Sequence, residues 1–292
     1  MCAPSVLHVA LAGMNRREAL HFAVGVMAGA LASTGEKTAA ARPTEETPPD
    51  PRPIPRPPQR AIAADTILDL THTLTPTFPI WPGNKPIALT NTSTFAQHGF
   101  YANRWDVGEH HGTHLDAPAH CSADGATVEA IEPASFIAPL AVIDLRERVK
   151  NNPDAAVTVD DLTTWEKRHG RLPKGCAVAL YSGWDQHAGD AKAFLGTDAT
   201  GTLHFPGFSQ DAAAFLRDER DVVGLLVDTL SIDIGATQEF PVHKLWLGAG
   251  KWCVECVAHL GRVPPSGATV FVGTPKVKSA SGGPTRVLAL WS

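Results

Sequence analysis

Short runs of apolar residues, separated by polar segments, recur from residue 140 to the end of the chain. They cover residues 140–145, 177–181, 222–227, 269–272 and 287–290. Runs of this length that are rich in β-branched residues are typical of buried strands. The pattern therefore predicts a set of strands that contribute to one hydrophobic core.

Two segments between these runs have the spacing and the end signals of helices. Thr158 is placed to cap a helix that reaches about residue 169, and Gly170 is placed to end it. Ser209 is placed to cap a second helix over 212–220, whose apolar residues fall on one face. Strands and helices mixed in this way predict an α/β or α+β domain.

Residues 1–41 have the order of an export signal. Arg16 and Arg17 precede an apolar stretch at 19–32, and small residues in an A-x-A pattern follow at 39–41. This order resembles a twin-arginine signal and predicts a periplasmic or secreted protein. An amphipathic N-terminal helix is the alternative. The stretch is too short and too rich in glycine for a membrane anchor, so no membrane span is predicted.

Residues 42–60 contain eight prolines. Proline fixes the backbone φ angle and has no backbone N–H, so this segment is predicted to be an extended, solvated linker. No second linker and no internal repeat follows it. Residues 61–292 are therefore predicted to form one domain.

The composition narrows the class of function. The chain has 292 residues and a net charge of −5, so it lacks the positive charge with which proteins neutralise nucleic-acid phosphates. Thirteen histidines against two tyrosines is its unusual feature. Imidazole is a common metal ligand and proton carrier near neutral pH, so the clustering of these histidines indicates where chemistry occurs.

The densest cluster lies at residues 109–120, where four histidines and two acids fall within twelve positions. Gly112 and Pro118 oppose a continuous helix, so we predict a tight turn that aims His110, His114 and Asp116 at one point. Two imidazoles and a carboxylate suit Zn, Mn or Fe, and three ligands leave positions open for water or substrate. A solvated histidine-rich loop is the alternative.

A second, weaker cluster is formed by His243 and Glu255. His243 is predicted to lie in a loop, and Glu255 lies within the apolar stretch 252–257. A carboxylate buried there needs a metal or a cation, which makes Glu255 a candidate ligand. The alternative is that Glu255 faces solvent from a half-exposed strand.

The order of these motifs resembles the metal-dependent cyclase family, which includes bacterial kynurenine formamidases and isatin hydrolases. The segment from His110 to His120 matches the family pattern H-x3-H-x-D-A-P-x-H. D-L-T-H-T-L at 69–74 and P-I-W-P-G at 79–83 resemble the family's opening strand and its pocket-lining tryptophan, here Trp81. D-T-L-S-I-D at 228–233 resembles a later strand end, and the match runs from about residue 66 to the C-terminus.

The resemblance implies a swivelling β/β/α fold, a homodimer or homotetramer, and one or two divalent ions, Zn or Mn. It implies metal binding by His110, His114 and Asp116. His243 and Glu255 complete a second position in two-metal members, whereas in isatin-hydrolase-like members the late histidine acts in proton transfer.

The implied reaction is hydrolysis of an amide-type C–N bond, in an aryl formamide such as N-formylkynurenine or a cyclic amide such as isatin. A bound metal lowers the pKa of water from about 15.7 towards 7. His120 is expected to act as general base and acid. Trp81, and with it Phe100 or Trp184, is a candidate for stacking on the substrate, with core packing as the alternative for Trp184.

Two further predictions concern alternatives to this chemistry. Cys121 adjoins His120, and we expect it to pack rather than to act as a nucleophile, because nothing local indicates an activated thiolate. The rival function is a periplasmic protein that binds a small molecule through the metal without hydrolysis. A purely structural metal site is disfavoured by the predicted open coordination positions.

Overall fold

The structure is a computed structural model that describes residues 64–292. Its main feature is a mixed sheet of nine strands. The predicted export signal and proline-rich linker lie outside the described residues. In spatial order the strands are β1-β13-β11-β5-β7-β9-β10-β4-β12. The strands span Thr66–Asp69 (β1), Ala88–Ser93 (β2), Ala102–Asp106 (β3), His114–Asp116 (β4), Ile137–Asp144 (β5), Ala156–Val157 (β6), Ala177–Tyr181 (β7), Gly207–Phe208 (β8), Gly224–Val227 (β9), Trp252–Glu255 (β10), Ala268–Gly273 (β11), Gly282–Pro284 (β12) and Arg286–Trp291 (β13).

The helices lie between strands and at the ends of the sheet. The α-helices span Phe95–His98 (α1), Arg146–Val149 (α2), Val159–His169 (α3), Ala191–Leu195 (α4), Gln210–Asp218 (α5) and Pro241–Leu247 (α6). Short 3₁₀ turns cover Pro118–His120, Val128–Ala130, Pro133–Phe136, Trp184–His187 and Leu260–Arg262. β2 pairs with β3, and β6 with β8, in two small sheets outside the main one.

The centre of the main sheet is parallel and its flanks are antiparallel. β5, β7, β9 and β10 pair in parallel, and β4 and β12 extend the sheet antiparallel to them beyond β10. Parallel strands are covered on both faces, which explains why these strands are nearly continuous apolar runs. The predicted strands at 140–145, 177–181, 222–227, 269–272 and 287–290 are all confirmed, with ends that differ by up to three residues.

The two predicted helices are also confirmed. The Thr158 hydroxyl accepts from the Asp161 backbone N–H at 3.3 Å while the Asp161 carboxylate accepts from the Thr158 N–H at 2.8 Å, a capping box at the start of α3. Ser209 caps α5, which ends two residues earlier than predicted. Beyond the helix end, the Arg220 guanidinium pairs with the Glu166 carboxylate of α3 at 2.8 Å.

These elements confirm a mixed α/β single-domain fold. The swivelling β/β/α arrangement stays a prediction. Between residues 64 and 292, no helix has both the length and the apolar character needed to cross a bilayer.

One surface link makes stability depend on pH. The His204 imidazole contacts Asp154 Oδ2 at 2.7 Å through Nδ1 and Asp198 Oδ2 at 3.4 Å through Nε2. The hydrogen bond to Asp154 raises the pKa of His204 above its ordinary value. Because folding favours the protonated imidazole, its stabilisation is full below the unfolded pKa and is lost as pH rises through the folded pKa.

We therefore expect His204→Gln to lower the melting temperature more at about pH 5.5 than at about pH 8.5. The measurement is the wild-type minus variant difference in melting temperature at both pH values. His98→Gln, on the exposed helix α1, is the control variant. A difference for His204→Gln that is equal at both pH values would contradict this account.

Candidate metal centre and active site

Sheet register places three of the predicted ligands side by side. His114 and Asp116 are two residues apart on β4, so their side chains project from the same face. β10 pairs antiparallel with β4, and this pairing sets Glu255 opposite His114 and Cys253 opposite Asp116. Opposite residues of paired strands have adjacent side chains, so the pairing alone gathers one imidazole and two carboxylates.

A turn before β4 supplies His110, as the sequence predicted. Gly112 in this turn has φ of +67°, and a Cβ there would lie 2.6 Å from Leu74 Cδ1, so the turn favours glycine. His110 Nδ1 lies 2.6 Å from Asp116 Oδ1, and its Nε2 lies 3.0 Å from Ser281 Oγ. The turn therefore brings a second imidazole onto the same carboxylate.

His243 lies on helix α6, and its predicted place in a loop is wrong. Asp233 starts this helix: its carboxylate accepts from the backbone N–H groups of Val242 at 2.8 Å and His243 at 3.0 Å. The same carboxylate accepts from His243 Nδ1 at 2.7 Å. The helix was missed because its N-terminal hydrogen bonds come from a residue outside its own segment.

Two imidazole nitrogens face two carboxylates at the centre of the cluster. His114 Nε2 lies 3.3 Å from Asp116 Oδ1 and 3.4 Å from Glu255 Oε2. His243 Nε2 lies 3.3 Å from Asp116 Oδ2 and 3.1 Å from Glu255 Oε1. Glu255 is only 5% exposed, so the alternative that it faces solvent is wrong.

The tautomers set by hydrogen bonding show that this arrangement fits a divalent cation. His114 Nδ1 donates to the Gly112 carbonyl at 2.8 Å, so Nε2 is the nitrogen that carries the lone pair when the ring is neutral, and this buried nitrogen has no hydrogen-bond partner among residues 64–292. His243 Nδ1 donates to Asp233, which likewise turns a lone pair toward the carboxylates. Lone pairs that face anions need a cation between them, and two imidazoles with two carboxylates are a suitable donor set for one.

The pKa shifts show the same preference for positive charge. Burial opposes protonation of His114, but the charges of Asp116 and Glu255 outweigh it and raise the pKa of His114 to about 10. Burial also opposes ionisation of Asp116, yet the neighbouring imidazoles hold the pKa of this carboxyl well below its usual range. Burial and the charge of Asp116 oppose ionisation of Glu255, but the neighbouring imidazoles of His114 and His243 lower its pKa, so both carboxylates remain ionised and available to a cation.

The potential ligand atoms fall into two groups that share Asp116. One group contains Asp116, His243, Cys253 and Glu255, and the other contains His110, Asp116 and His120. Within each group the atoms lie within 4.8 Å of one another. Cys253 Sγ donates to Asp116 Oδ2 at 3.4 Å, and burial keeps the pKa of this thiol well above its ordinary value, so it supports the carboxylate as a neutral donor.

His120 lies on the wall of a pocket above these groups. Its ring stacks on His110 with centroids 3.9 Å apart and is 6.0 Å from the ring of His243. Desolvation lowers the pKa of His120. Neither ring nitrogen has a hydrogen-bond partner within the described part of the chain. The imidazole is therefore placed to exchange a proton with a molecule in the pocket.

The pocket has a volume of about 420 Å³ and one aromatic side. Trp81 and Phe240 form that side, with ring centroids 5.6 Å apart. The other lining residues are Asn84, His110, His114, Asp116, His120, Cys121, Leu230, Ser231, His243, Lys244 and Glu255. The size suits a small aromatic molecule held against the cluster.

The other predicted aromatic and thiol residues have mixed outcomes. Trp81 lines the pocket, whereas Phe100 is exposed at 54% and does not line it. Trp184 is buried in the core and donates from Nε1 to the Phe194 carbonyl at 2.8 Å, which confirms the packing alternative. The packing role of Cys121 is wrong, because the residue is exposed on the pocket wall. Partial desolvation raises the pKa of its thiol, so it is not an activated nucleophile.

Six residues of the site were not singled out from the sequence. Asp233 orients His243, and the others line the pocket: Asn84, Leu230, Ser231, Phe240 and Lys244. Asp233 ends the motif at 228–233, so its position in that motif was the available signal. Phe240 and Lys244 lie on either side of Pro241, Val242 and His243, and no local pattern distinguishes them.

Asp233→Asn tests whether this carboxylate positions His243. The amide keeps the size of the side chain but loses the charge that favours Nδ1–H donation and Nε2 ligation. We expect metal affinity to fall about 10- to 100-fold, because carboxylates behind histidine ligands commonly contribute that much. Competition with a chelator measures the affinity, and circular dichroism checks that the variant is folded. Unchanged affinity in a folded variant would show that Asp233 only starts the helix.

A family model described as "Putative cyclase" matches residues 68–234. An isatin hydrolase of Roseibium aggregatum is 33% identical over 242 residues, which cover 77% of this chain and 91% of that protein. A kynurenine formamidase of Erythrobacter litoralis is 37% identical over 82 residues, which cover 27% of this chain and 38% of that protein.

The fold is also similar to that of an isatin hydrolase. The structure of isatin hydrolase A from Ralstonia solanacearum matches with a TM-score of 0.74 and 38% identity, over 78% of this chain and 92% of that one. The family model covers more than half of this chain, and the similarity to isatin hydrolases extends over most of both chains. The chain therefore belongs to the cyclase family, and it is a metal-dependent amidohydrolase.

Proposed function

We propose that this enzyme hydrolyses the C–N bond of a cyclic amide such as isatin. The observation that carries the proposal is the convergence of two imidazole lone pairs and two carboxylates at one side of a pocket with an aromatic wall. The isatin hydrolase that is similar over 77% of the chain supports a cyclic amide. The shorter similarity to a kynurenine formamidase supports an aryl formamide, as in N-formylkynurenine, as the second candidate.

Zn²⁺ or Mn²⁺, when bound, supplies Lewis acidity for the carbonyl and lowers the pKa of bound water. We assign His110, His114 and Asp116 to hold the ion, with His243 and Glu255 as further ligands. Asp116 belongs to both ligand groups, so the residues accommodate one ion or two. Asp233 and the Gly112 carbonyl fix the tautomers of His243 and His114, which keeps both Nε2 lone pairs directed at the cluster.

His120 moves the proton in this proposal. Its imidazole accepts a proton from the attacking water and returns it to the leaving nitrogen, which an amine needs because it is a poor leaving group when unprotonated. Support comes from its position on the pocket wall, in ring contact with His110 and without a hydrogen-bond partner in residues 64–292. Trp81 and Phe240 orient the aromatic ring of the substrate by contact with its face.

The test is a hydrolysis screen of purified protein reconstituted with Zn²⁺ or Mn²⁺. Isatin, other lactams, cyclic imides and aryl formamides are the substrates, and the metal content of the same sample is measured in parallel. Hydrolysis of lactams in preference to formamides supports the first candidate, and the reverse preference supports the second. Metal-loaded protein that binds these amides and leaves them intact would instead support a small-molecule binding protein.

We further propose that the protein is exported and assembles as a homodimer or homotetramer. The arginine pair and the A-x-A pattern support export to the periplasm or beyond. Exposed apolar side chains on the β2–β3 hairpin support assembly, because such groups rarely cluster on a monomer; they are Leu89, Phe95, Phe100, Tyr101 and Trp105. Cell fractionation tests the location, and light scattering coupled to size exclusion tests the subunit number.

A further inference from the structure

Lys244 places an unpaired positive charge at the pocket. It follows His243 on α6, and both residues line the same pocket, His243 buried and Lys244 exposed. No carboxylate of the described chain lies within 4.0 Å of its ammonium group, and no hydrogen bond from that group is formed there. Lys85 and Lys150, by contrast, each pair with an acid, at 2.5 and 2.7 Å.

The charges of the lining residues leave Lys244 without a counterpart. The two acids of the pocket are Asp116 and Glu255, and both face the imidazole cluster. A divalent cation bound there balances these two negative charges. The ammonium group then remains as the one unmatched charge among the residues that line the pocket, and it attracts an anionic ligand.

Asn84 adds a second polar group that amide hydrolysis does not use. Asn84 lines the pocket, and no hydrogen bond ties its side-chain amide to another residue between 64 and 292. Away from the imidazole and carboxylate cluster, the wall also contains the apolar residues Trp81, Leu230 and Phe240 together with Cys121 and Ser231. Polar groups in a mostly apolar pocket commonly fix the orientation of the ligand and determine specificity.

We propose that Lys244, assisted by Asn84, binds an anionic group of the substrate. The substrate class is then an aryl or cyclic amide that carries a carboxylate, or a group of like charge, away from the bond that is cleaved. This inference rests on the proposed function and names its substrate class more narrowly. Because Lys244 is exposed, the ion pair is partly solvated, and its effect on binding is expected to be about tenfold and to weaken with salt.

Isatin and isatin-5-sulfonate form a suitable pair of probes. They share the lactam and the ring system, and a sulfonate adds negative charge while being a poor ligand for divalent metals. The quantity measured is the ratio of kcat/KM for the sulfonate to kcat/KM for isatin, with the full chain loaded with Zn²⁺ or Mn²⁺. Lys244→Gln is expected to lower this ratio about tenfold, mainly through KM for the sulfonate.

Two further variants separate the specific effect from a loss of overall charge. Lys192→Gln removes an exposed lysine of helix α4 that does not line the pocket, and it should leave the ratio unchanged. Lys244→Arg keeps the charge, so its ratio should stay close to that of the wild type. Added salt should lower the wild-type ratio toward that of Lys244→Gln. A ratio that is the same in wild type and Lys244→Gln would overturn the inference.

Binding measurements decide the inference independently of turnover. Dissociation constants of sulfanilate and aniline are measured by titration calorimetry with metal-loaded wild type and Lys244→Gln. We expect Lys244→Gln to weaken sulfanilate binding about tenfold relative to aniline. Absence of hydrolysis with this difference present would defeat the proposed function and leave the anion site standing. Hydrolysis without this difference would support the proposed function and overturn the anion site.

Discussion

Asp116→Asn should abolish metal binding and activity together. Asp116 belongs to both ligand groups, with Oδ1 beside His110 and His114 and Oδ2 beside His243. The amide removes the negative charge and replaces one oxygen with a donor that repels a cation. We expect metal affinity to fall by at least about 100-fold, more than for a residue that acts only through a ligand. Plasma mass spectrometry of the purified protein and a chelator competition measure this loss.

Asp228→Asn is the matched control for Asp116→Asn. Asp228 is also fully buried at the end of a strand, but its carboxylate accepts hydrogen bonds from Ser182, Gly183 and Trp184 outside the metal cluster. Burial raises the pKa of Asp228 to about 7, so asparagine is a close mimic of its protonated form. This variant should keep its metal. Full metal occupancy in folded Asp116→Asn would refute the ligand assignment.

The fold class was predictable because the strands of the parallel centre are buried on both faces. A strand such as β7 is an uninterrupted apolar run, and that run is visible without knowledge of its neighbours. The starts of two helices were predictable for the same reason, since the capping residues Thr158 and Ser209 act within three residues of their own positions. Local signals of this kind do not depend on how distant parts of the chain pair.

The strands that build the site were not predictable in this way. β4 has three residues, two of them polar, and its pairing with β10 joins positions more than 130 residues apart. The burial of Glu255 follows from that pairing, and for this reason the sequence left its orientation open. Helix α6 was missed for the same reason, because the Asp233 carboxylate that starts it precedes the helix by eight residues.

The candidate ligands were predictable because their chemistry is unusual even when their positions are unknown. Four histidines within 109–120 indicate a site wherever the segment folds, and the apolar surroundings of Glu255 indicated a second, weaker cluster with His243 that the family resemblance then supported. Lys244 and Phe240 carry no such signal, since a lysine and a phenylalanine are ordinary on a surface helix and the loop before it. Their role depends on the shape of the pocket, which only the tertiary structure defines.

His120→Gln should separate proton transfer from metal binding. Glutamine keeps a polar side chain of similar length but does not exchange a proton near neutral pH. If His120 is the general base and acid, kcat falls about 10²- to 10⁴-fold while metal content stays at the wild-type level. Steady-state kinetics on a substrate from the hydrolysis screen and metal analysis of the same preparation give both quantities. A wild-type kcat in the metal-loaded variant would show that His120 does not take part in proton transfer.

A loss of metal from His120→Gln would instead identify the residue as a ligand. This outcome is meaningful because His120 shares a potential ligand group with His110 and Asp116. Cys121→Ser provides the neighbouring control, since Cys121 lies on the same pocket wall and its raised thiol pKa disfavours the reactive thiolate. Its kcat should remain close to that of the wild type. The pair of variants therefore separates proton transfer by the imidazole from attack by the adjacent thiol, and metal content separates both from ligation.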